Sequence, residues 1–359
     1  MIIILQKNIS KSNLDKIMQK LKNFRFENFV SFDQPFIFVE SSNDTLPEHY
    51  FNGLAGINKI IRTNIRTPKI LNDTKVNIEV SNYPGLRIPA IDKPIIIAGP
   101  CSIESESQIL SLSLKLKKLG VSLLRGGAFK PRTNPYDFQG LGLNGLKFIK
   151  QASIESKLPV VSEVMSAKQL DLGYNYIDIF QVGARNMYNY ELLKELGQQK
   201  KPVLLKRHFS ATVDELLQAA EYLYDCGNSN VILCERGIRS FETTTRNTID
   251  LNSVAYLKEN FNLPVIVDPS HGTGNSLLVK PMSNASIASG ACGLIIEVHE
   301  DPANSISDSR QAINLNQLED IINTTNLIWR ITNPDFTRQE IESANLVQNN
   351  FLATNKTLA

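Results

Sequence analysis

Eight short apolar runs, separated by segments with helical periodicity, restrict the fold of this chain more than any other feature. The runs are rich in Val, Ile and Leu, which is typical of strands buried on both faces. They span residues 94–98, 121–125, 159–163, 177–181, 202–206, 230–234, 264–268 and 293–298. Helices are predicted between them, for example at residues 104–119, 143–157, 212–226 and 251–261. Eight alternations of strand and helix predict an α/β fold, the (β/α)8 TIM barrel.

A doubly wound open sheet is the alternative architecture, because it also alternates strands with helices. That fold normally carries a glycine-rich turn directly after its first strand. Here the first run is followed by Gly99-Pro100-Cys101-Ser102, which is not such a turn. The barrel is therefore the preferred prediction.

The first 65 residues have a different pattern, which predicts a small α+β domain. Strands are indicated at residues 2–5, 26–32, 36–40 and 58–62, with helices at 11–21 and 48–54. This β-α-β-β-α-β order is ferredoxin-like. Residues 66–93 then form a linker with a strand at 76–80, residues 94–325 form the barrel, and residues 326–359 form a C-terminal extension with no assigned role. A chain of 359 residues has room for one large and one small domain.

Composition excludes several classes of partner. There are 38 Lys and Arg against 36 Asp and Glu, giving a net charge of +2. With no long basic block, neither nucleic acid nor a membrane surface is an expected partner. The four scattered cysteines do not form a secreted disulfide framework, and no apolar stretch approaches the ~20 residues of a membrane span. Because the first residues also lack the features of a signal peptide, we expect a cytoplasmic protein.

Basic residues follow several of the predicted strands, where barrel enzymes carry their active sites. Such a group of cations repels itself unless it faces anions, and Arg and Lys suit phosphate and carboxylate groups. The alternative is that each cation only pairs with a neighbouring acid. We favour a small substrate with several negative charges. The residues concerned are Arg125, Lys130, Arg132, Arg185, Lys206 and Arg236.

A second group of residues at the same strand ends has the chemistry of a metal site. Cys101, His271 and Glu297 follow or end three of the predicted strands, and Asp308 lies in the last loop. A thiolate, an imidazole and two carboxylates can bind a divalent cation. The alternative for Cys101 is that it is simply a small buried residue.

Several motifs resemble the type I beta class of 3-deoxy-D-arabino-heptulosonate-7-phosphate (DAHP) synthases. The resemblance runs from about residue 1 to about residue 325 and includes the small N-terminal domain. The motifs are residues 97–102, residues 124–133, Gly183-Ala184-Arg185, Leu205-Lys206-Arg207 and Asp268-Pro269-Ser270-His271. Two details differ from the family pattern, namely Asn134 and the loop Gly272-Thr273-Gly274-Asn275.

The resemblance implies a metal-dependent, aldol-type condensation of phosphoenolpyruvate with erythrose 4-phosphate and water, giving DAHP and phosphate. This is the first step of the shikimate pathway to chorismate and the aromatic amino acids. One divalent ion, manganese, iron, zinc or cobalt, is expected on Cys101, His271, Glu297 and Asp308. Phosphoenolpyruvate is expected to contact Arg125, Lys130, Arg185, Lys206 and Arg236. The aldose phosphate is expected to contact Arg132 and Thr133, with Lys206 and Glu163 as the catalytic residues that transfer protons.

The resemblance also implies a homotetramer whose N-terminal domain mediates feedback inhibition by tyrosine or phenylalanine. The alternative is that this domain only shields the barrel or helps the chain to oligomerise. Equal inhibition with and without residues 1–65 would favour that alternative.

Two other functions are weighed against DAHP synthesis. The sister enzyme that makes 3-deoxy-manno-octulosonate 8-phosphate usually carries a motif resembling Lys-Ala-Asn-Arg-Ser. This chain has Lys130-Pro131-Arg132-Thr133 at that point, which favours the shorter sugar. A non-catalytic scaffold barrel would lack some of the ligands or cations, and here none is missing.

Overall fold

The N-terminal part of the chain forms a four-stranded antiparallel sheet. The computed structural model describes residues 1–22, 24–30, 35–40, 48–61, 66–74, 77–132 and 134–333. The first elements are β1 (Ile2–Leu5), α1 (Lys11–Leu21), β2 (Arg25–Val30), β3 (Pro35–Glu40), a 3-10 helix (Glu48–Phe51) and β4 (Ile57–Ile61). The strand order β2-β3-β1-β4 confirms the ferredoxin-like prediction. The second helix, predicted for residues 48–54, is only a 3-10 turn, because the chain turns at Gly53 with a φ of 80°.

The linker attaches the small sheet to the barrel. It contains α2 (Pro68–Asn72) and a two-stranded hairpin, β5 (Ile78–Glu79) and β6 (Arg87–Ile88). Of the strand predicted at 76–80, residue 76 lies outside the described residues and residues 78–79 form β5, whereas β6 was not predicted. Glu221, on a helix of the barrel, accepts hydrogen bonds from the backbone N–H groups of Lys69 at 2.7 Å and Ile70 at 3.1 Å. The barrel therefore caps the first turn of α2.

Strand β1 is apolar throughout because both of its faces are covered. Side chains alternate across a sheet, so Ile3 packs on Ile17 of α1, while Ile2 and Ile4 face the opposite side. On that side they pack with Leu71 of α2. The small sheet is thus held to the linker through a second apolar cluster.

Eight parallel strands close into a barrel in the order β10-β11-β12-β13-β14-β7-β8-β9, which confirms the predicted fold class. Their side chains form the main apolar core. The strands are β7 (Ile95–Gly99), β8 (Leu123–Arg125), β9 (Val160–Glu163), β10 (Ile179–Val182), β11 (Val203–Lys206), β12 (Val231–Glu235), β13 (Val265–Val267) and β14 (Gly293–Glu297).

With the exception of the helix at Gly142–Ser156, the α-helices that surround the barrel begin at side chains that cap their free N–H groups. Thr212 and Glu215, for instance, form a reciprocal capping box at the start of α7 (Val213–Asp225). The helices are α3 (Glu106–Lys118), α4 (Gly142–Ser156), α5 (Ala167–Gly173), α6 (Tyr190–Gly197), α7 (Val213–Asp225), α8 (Leu251–Asn260), α9 (Pro269–Thr273), α10 (Ser276–Ala288) and α11 (Leu315–Thr332). The predicted domain limit at residue 325 falls inside α11. Within the described part of the chain, none of these helices is both long and apolar enough to cross a membrane.

Because all eight strands run in the same direction, their carboxyl ends meet at one rim. Gly99 shows how closely the chain segments approach each other there. Its φ is 152°, and a Cβ at this position would lie 2.0 Å from the carbonyl oxygen of Arg125. Only glycine fits this contact, which brings the loop with Cys101 beside the end of β8.

Candidate active site

The four predicted metal ligands lie together at the carboxyl rim of the barrel. Cys101, His271, Glu297 and Asp308 each offer one ligand atom, and these atoms all lie within 4.8 Å of one another. They come from the loop after β7, from α9, from the end of β14 and from the loop after β14. Cys101 and Glu297 are buried. The structure thus brings together residues that are up to 207 positions apart in the chain.

The cluster is held by contacts between its own members. Cys101 Sγ lies 2.8 Å from Asp308 Oδ2, and His271 Nε2 lies 3.2 Å from Glu297 Oε1. Burial, together with the charge of Glu297, raises the pKa of the Cys101 thiol to about 12. In the metal-free protein the thiol therefore keeps its proton, and its S–H group donates a hydrogen bond to Asp308 Oδ2. Asp308 itself has a φ of 54°, a conformation that non-glycine residues adopt only when their surroundings enforce it.

Asp268 joins the cluster to the basic residues of the rim. Its Oδ1 accepts a hydrogen bond from the backbone N–H of His271 at 2.9 Å, which caps α9. Its Oδ2 lies 2.8 Å from His271 Nδ1 and 2.5 Å from Lys206 Nζ. Burial alone would raise the pKa of Asp268, but His271 and Lys206 hold it well below its usual range. The carboxylate thus lies beside Nδ1, while Nε2 faces Glu297, and a carboxylate in this place is common around histidine ligands of metal sites.

The six predicted cations line one cavity of about 340 Å³, which Glu163, His271 and Asp308 also line. Some of these cations have acidic partners. Arg125 donates to Glu297 Oε1 at 3.2 Å, Lys206 is bound to Asp268, and Lys130 Nζ lies 2.7 Å from Cys101 Sγ. The contacts of Arg125 and Lys206 are of the kind expected if the cations only served structural ion pairs, whereas Lys130 contacts a thiol that keeps its proton.

The other three cations have no carboxylate within 4.0 Å among the described residues. Arg132 and Arg185 donate to the backbone carbonyl groups of Phe138 at 3.1 Å and Pro131 at 3.2 Å. Arg236 is buried and contacts the carbonyl oxygen of His271 at 3.4 Å. Burial lowers the pKa of Arg236, because the nearby negative charge, mainly that of Asp268, does not fully offset the loss of hydration of the guanidinium group. Three guanidinium groups thus have capacity left for an anion.

Glu163 ends β9 and faces the same cavity. Its Oε2 accepts a hydrogen bond from Gln181 Nε2 at 3.3 Å. A Cβ on Gly183 would lie 2.0 Å from Glu163 Oε1, so any other residue there would displace the carboxylate from this position. Thr133, the predicted contact to the aldose phosphate, lies outside the described residues.

Sequence reasoning missed several residues of this site. Asp268 lies in the motif of residues 268–271, of which only His271 is predicted as a site residue. Gln311 is buried and donates to Glu297 Oε2 at 2.7 Å. Arg246 donates to Gln311 Oε1 at 2.9 Å, and Arg239 also lines the cavity. Both Arg239 and Arg246 lie in the loop after β12, so a search for basic residues along the whole of that loop would have found them.

The structure is a closed (β/α)8 barrel whose cavity is lined by cations and lies beside a cluster of potential metal ligands. These features are typical of a TIM-barrel enzyme. The family model for the DAHP synthetase I family matches residues 77–331, and the chain belongs to this family. The prediction from the motifs is thereby confirmed.

Curated relatives and solved structures agree with the family. The phospho-2-dehydro-3-deoxyheptonate aldolase of Thermotoga maritima is 46% identical over 227 residues, covering 63% of this chain and 67% of the relative. The 2-dehydro-3-deoxyphosphooctonate aldolase of Desulfotalea psychrophila is 30% identical over 246 residues, covering 64% and 87%. A crystal structure of the Thermotoga maritima enzyme, described as DAHP synthase, is 34% identical with a TM-score of 0.70 and covers 90% of this chain and 95% of that one. A truncated form of a synthase from the same organism gives 40% identity and a TM-score of 0.63, covering 69% and 89%.

Proposed function

We propose that this protein is a metal-dependent DAHP synthase of the cytoplasm, which condenses phosphoenolpyruvate with erythrose 4-phosphate and water to give DAHP and phosphate. One observation carries the proposal: a single cavity of the barrel is lined by eight Arg and Lys side chains, among them the six predicted cations, and by two members of the Cys101, His271, Glu297 and Asp308 cluster. The reaction needs a place for two anionic substrates and a place for an electrophilic ion. This cavity offers both.

The basic residues solve an electrostatic problem. With about −2 on each phosphate group and one further charge on the carboxylate, the two substrates together carry about −5. Two such anions repel each other unless cations neutralise them. We assign phosphoenolpyruvate to Arg125, Lys130, Arg185, Lys206 and Arg236, and the aldose phosphate to Arg132 and Thr133. Holding both substrates in contact then supplies the proximity that the condensation requires.

The residues of the cluster fit a divalent metal ion. One sulfur, one imidazole nitrogen and two carboxylates lie within 4.8 Å of one another, and Asp268 orients the imidazole from behind. This mixed donor set suits manganese, iron, zinc or cobalt. When bound there, the ion would supply a Lewis acid that polarises the aldehyde oxygen of the sugar phosphate.

The protein side chains direct the bond changes. The basic residues hold phosphoenolpyruvate so that its C3 forms a bond to the aldehyde carbon. Glu163, which faces the cavity, takes a proton from the water that adds at C2, and Lys206 supplies a proton to the former aldehyde oxygen. The bond between C2 and the phosphate oxygen then breaks, while the C2 hydroxyl gives its proton to the leaving phosphate and becomes the ketone. Water thus loses one proton to Glu163 and one to phosphate, the former aldehyde oxygen gains one from Lys206, and return of the proton from Glu163 to Lys206 restores both side chains.

The test is phosphate release from phosphoenolpyruvate with either erythrose 4-phosphate or arabinose 5-phosphate, with and without a chelator. We expect release with erythrose 4-phosphate and loss of activity in the chelator. A preference for arabinose 5-phosphate would instead assign the chain to the sister activity, whose name several of the 26–30% identical relatives carry. No release with either sugar would overturn the proposal.

We further propose that the N-terminal domain mediates inhibition by tyrosine or phenylalanine and that the enzyme is a homotetramer. The sheet of this domain is packed against α2, which in turn is bound to α7 of the barrel. This chain of contacts provides a physical connection between the two parts. Sedimentation velocity in the presence and absence of each amino acid tests the tetramer and its response to the effector.

A further inference from the structure

The loop of residues 299–308, between β14 and the metal-ligand cluster, has to place Asp308 accurately. Its base is fixed by backbone hydrogen bonds, since the N–H of His299 donates to Ile313 at 3.0 Å and the N–H of Ile313 donates to Glu297 at 3.0 Å. Beyond this base the loop contains only a 3-10 turn, Pro302–Asn304. The left-handed conformation of Asp308 is unfavourable in isolation. Something outside the loop must therefore hold its middle.

Glu104 makes two contacts to that middle section and one to the base of the loop. Its Oε1 accepts hydrogen bonds from the backbone N–H of Ile306 at 2.9 Å and from Ser305 Oγ at 3.3 Å. Its Oε2 lies 3.3 Å from His299 Nε2. The other ring nitrogen, Nδ1, accepts from the backbone N–H of Asp301 at 3.0 Å, so Nε2 carries a proton and donates to Glu104. The side chains of Glu104 and His299 are only 13% and 9% exposed, which protects these bonds from water.

Glu104 belongs to the same short segment as the ligand Cys101. Between them, Ile103 is fully buried, and its N–H donates to Gly127 at 3.1 Å, which fixes the segment to the loop after β8. One rigid segment thus carries both Cys101 and Glu104, whose carboxylate is hydrogen-bonded to the loop that contains Asp308. Any movement of Glu104 relative to Ile306 would change the 2.8 Å separation of Cys101 Sγ and Asp308 Oδ2.

We propose that Glu104 is a positioning residue that sets the affinity of the metal-ligand cluster, by holding loop 299–308 so that Asp308 faces Cys101. Glu104 is not among the residues that line the substrate cavity, so it acts through Asp308 and not on a substrate. The proposal rests on the metal site of the proposed function. It goes beyond that function because it names a residue outside the ligand set as a determinant of metal binding.

The experiment is a titration of the metal-free full-length protein with Co²⁺, followed by calorimetry and by the thiolate-to-cobalt absorption. The variants are Glu104→Ala, Glu104→Gln and, as a matched control, Glu106→Ala, which removes an exposed carboxylate two positions away. Losing a residue that orients a ligand typically weakens metal binding about 10–100-fold. We expect a loss of this size for Glu104→Ala, a smaller loss for Glu104→Gln, which keeps an acceptor for Ile306, and no change for Glu106→Ala.

Two further measurements separate positioning from general damage. Binding of phosphoenolpyruvate to the metal-free Glu104→Ala protein should equal that of the wild type, because the six basic residues are unaltered. Hydrogen exchange at the Ile306 amide should become faster, since its acceptor is gone.

Each outcome decides the matter. Equal Co²⁺ affinity of wild type, Glu104→Ala and Glu104→Gln would overturn this proposal alone. Absence of Co²⁺ binding by the wild type would overturn the metal cluster and this proposal together. If Glu104→Ala does not fold, the Glu104→Gln variant supplies the same comparison, and unchanged affinity there counts against the role of Glu104.

Discussion

Asp268 Oδ2 accepts a hydrogen bond from Lys206 Nζ at 2.5 Å, in the interior of the barrel mouth. Both side chains are almost completely buried, and the same oxygen lies 2.8 Å from His271 Nδ1. One carboxylate therefore contacts a residue that we assign to phosphoenolpyruvate and a residue that we assign to the metal ion. The Asp268 carboxylate therefore links the proposed phosphoenolpyruvate site to the proposed metal site.

The first prediction concerns the Asp268→Asn variant. Removing one partner of a buried ion pair leaves the other charge uncompensated, which typically costs about 3–5 kcal/mol. We expect a lower free energy of unfolding by urea and a Co²⁺ affinity reduced about 10–100-fold, because the imidazole loses its orienting carboxylate. Glu191→Gln, a change at an 85% exposed side chain, is the control and should change neither. Unaltered metal affinity in Asp268→Asn would contradict the orienting role.

The second prediction is a pH dependence of metal binding. In the metal-free protein the pKa of Cys101 is about 12, so its thiol is protonated throughout the range from about 6.5 to 8.5. Burial lowers the pKa of His271, whose ring is therefore already neutral. Binding to the thiolate releases one proton, and the apparent affinity should rise about tenfold for each pH unit. The slope is measured by Co²⁺ titration at several pH values. The Cys101→Ser variant should bind Co²⁺ far more weakly, and its affinity should depend less on pH. A Co²⁺ affinity of the wild type that does not change with pH would exclude thiolate ligation.

Much of the candidate site could be predicted from the sequence, because strand ends are visible there. Cys101, Glu163 and Glu297 each end or follow an apolar run, and parallel strands deliver such positions to one rim. The role of Asp268 could not be predicted in the same way. Its two contacts depend on where Lys206 and the imidazole lie in space, which residue spacing does not encode. Gln311 was missed for the same reason, since it reaches Glu297 from a loop without regular structure.

The fold was predicted where the apolar pattern is continuous and missed where it is short. All eight barrel strands were expected within a few residues of their observed limits, because burial on both faces makes each run unbroken. Strand β6 has only two residues, Arg87 and Ile88, and two residues carry no periodicity. The helix predicted at 48–54 is only a 3-10 turn, because the chain turns at Gly53 with a positive φ.

The third prediction concerns Arg236, a buried cation without a carboxylate within 4.0 Å among the described residues. Hydrogen bonds to charged groups contribute about 1.5–3 kcal/mol each. Arg236→Met should therefore lower kcat/KM for phosphoenolpyruvate by about 10–100-fold. The same change removes an uncompensated charge, so the melting temperature without substrate should not fall. Arg87→Met, at an exposed position of β6, is the control for both measurements. A large drop in stability with unchanged kcat/KM would show that Arg236 is structural.

The fourth prediction concerns the N-terminal domain, none of whose described residues lines the substrate cavity. Deletion of residues 1–65 should therefore leave kcat within about twofold, whereas inhibition by tyrosine or phenylalanine should be lost. Deletion also uncovers Leu71, which packs with Ile2 and Ile4, so solubility is expected to fall. A deletion variant with Leu71→Ser controls for this exposed apolar surface and should show the same kinetics. The measurement is the rate of phosphate release against effector concentration, with folding verified by circular dichroism. Equal inhibition of the full-length and shortened proteins would place the effector site within residues 66–359, the part of the chain common to both.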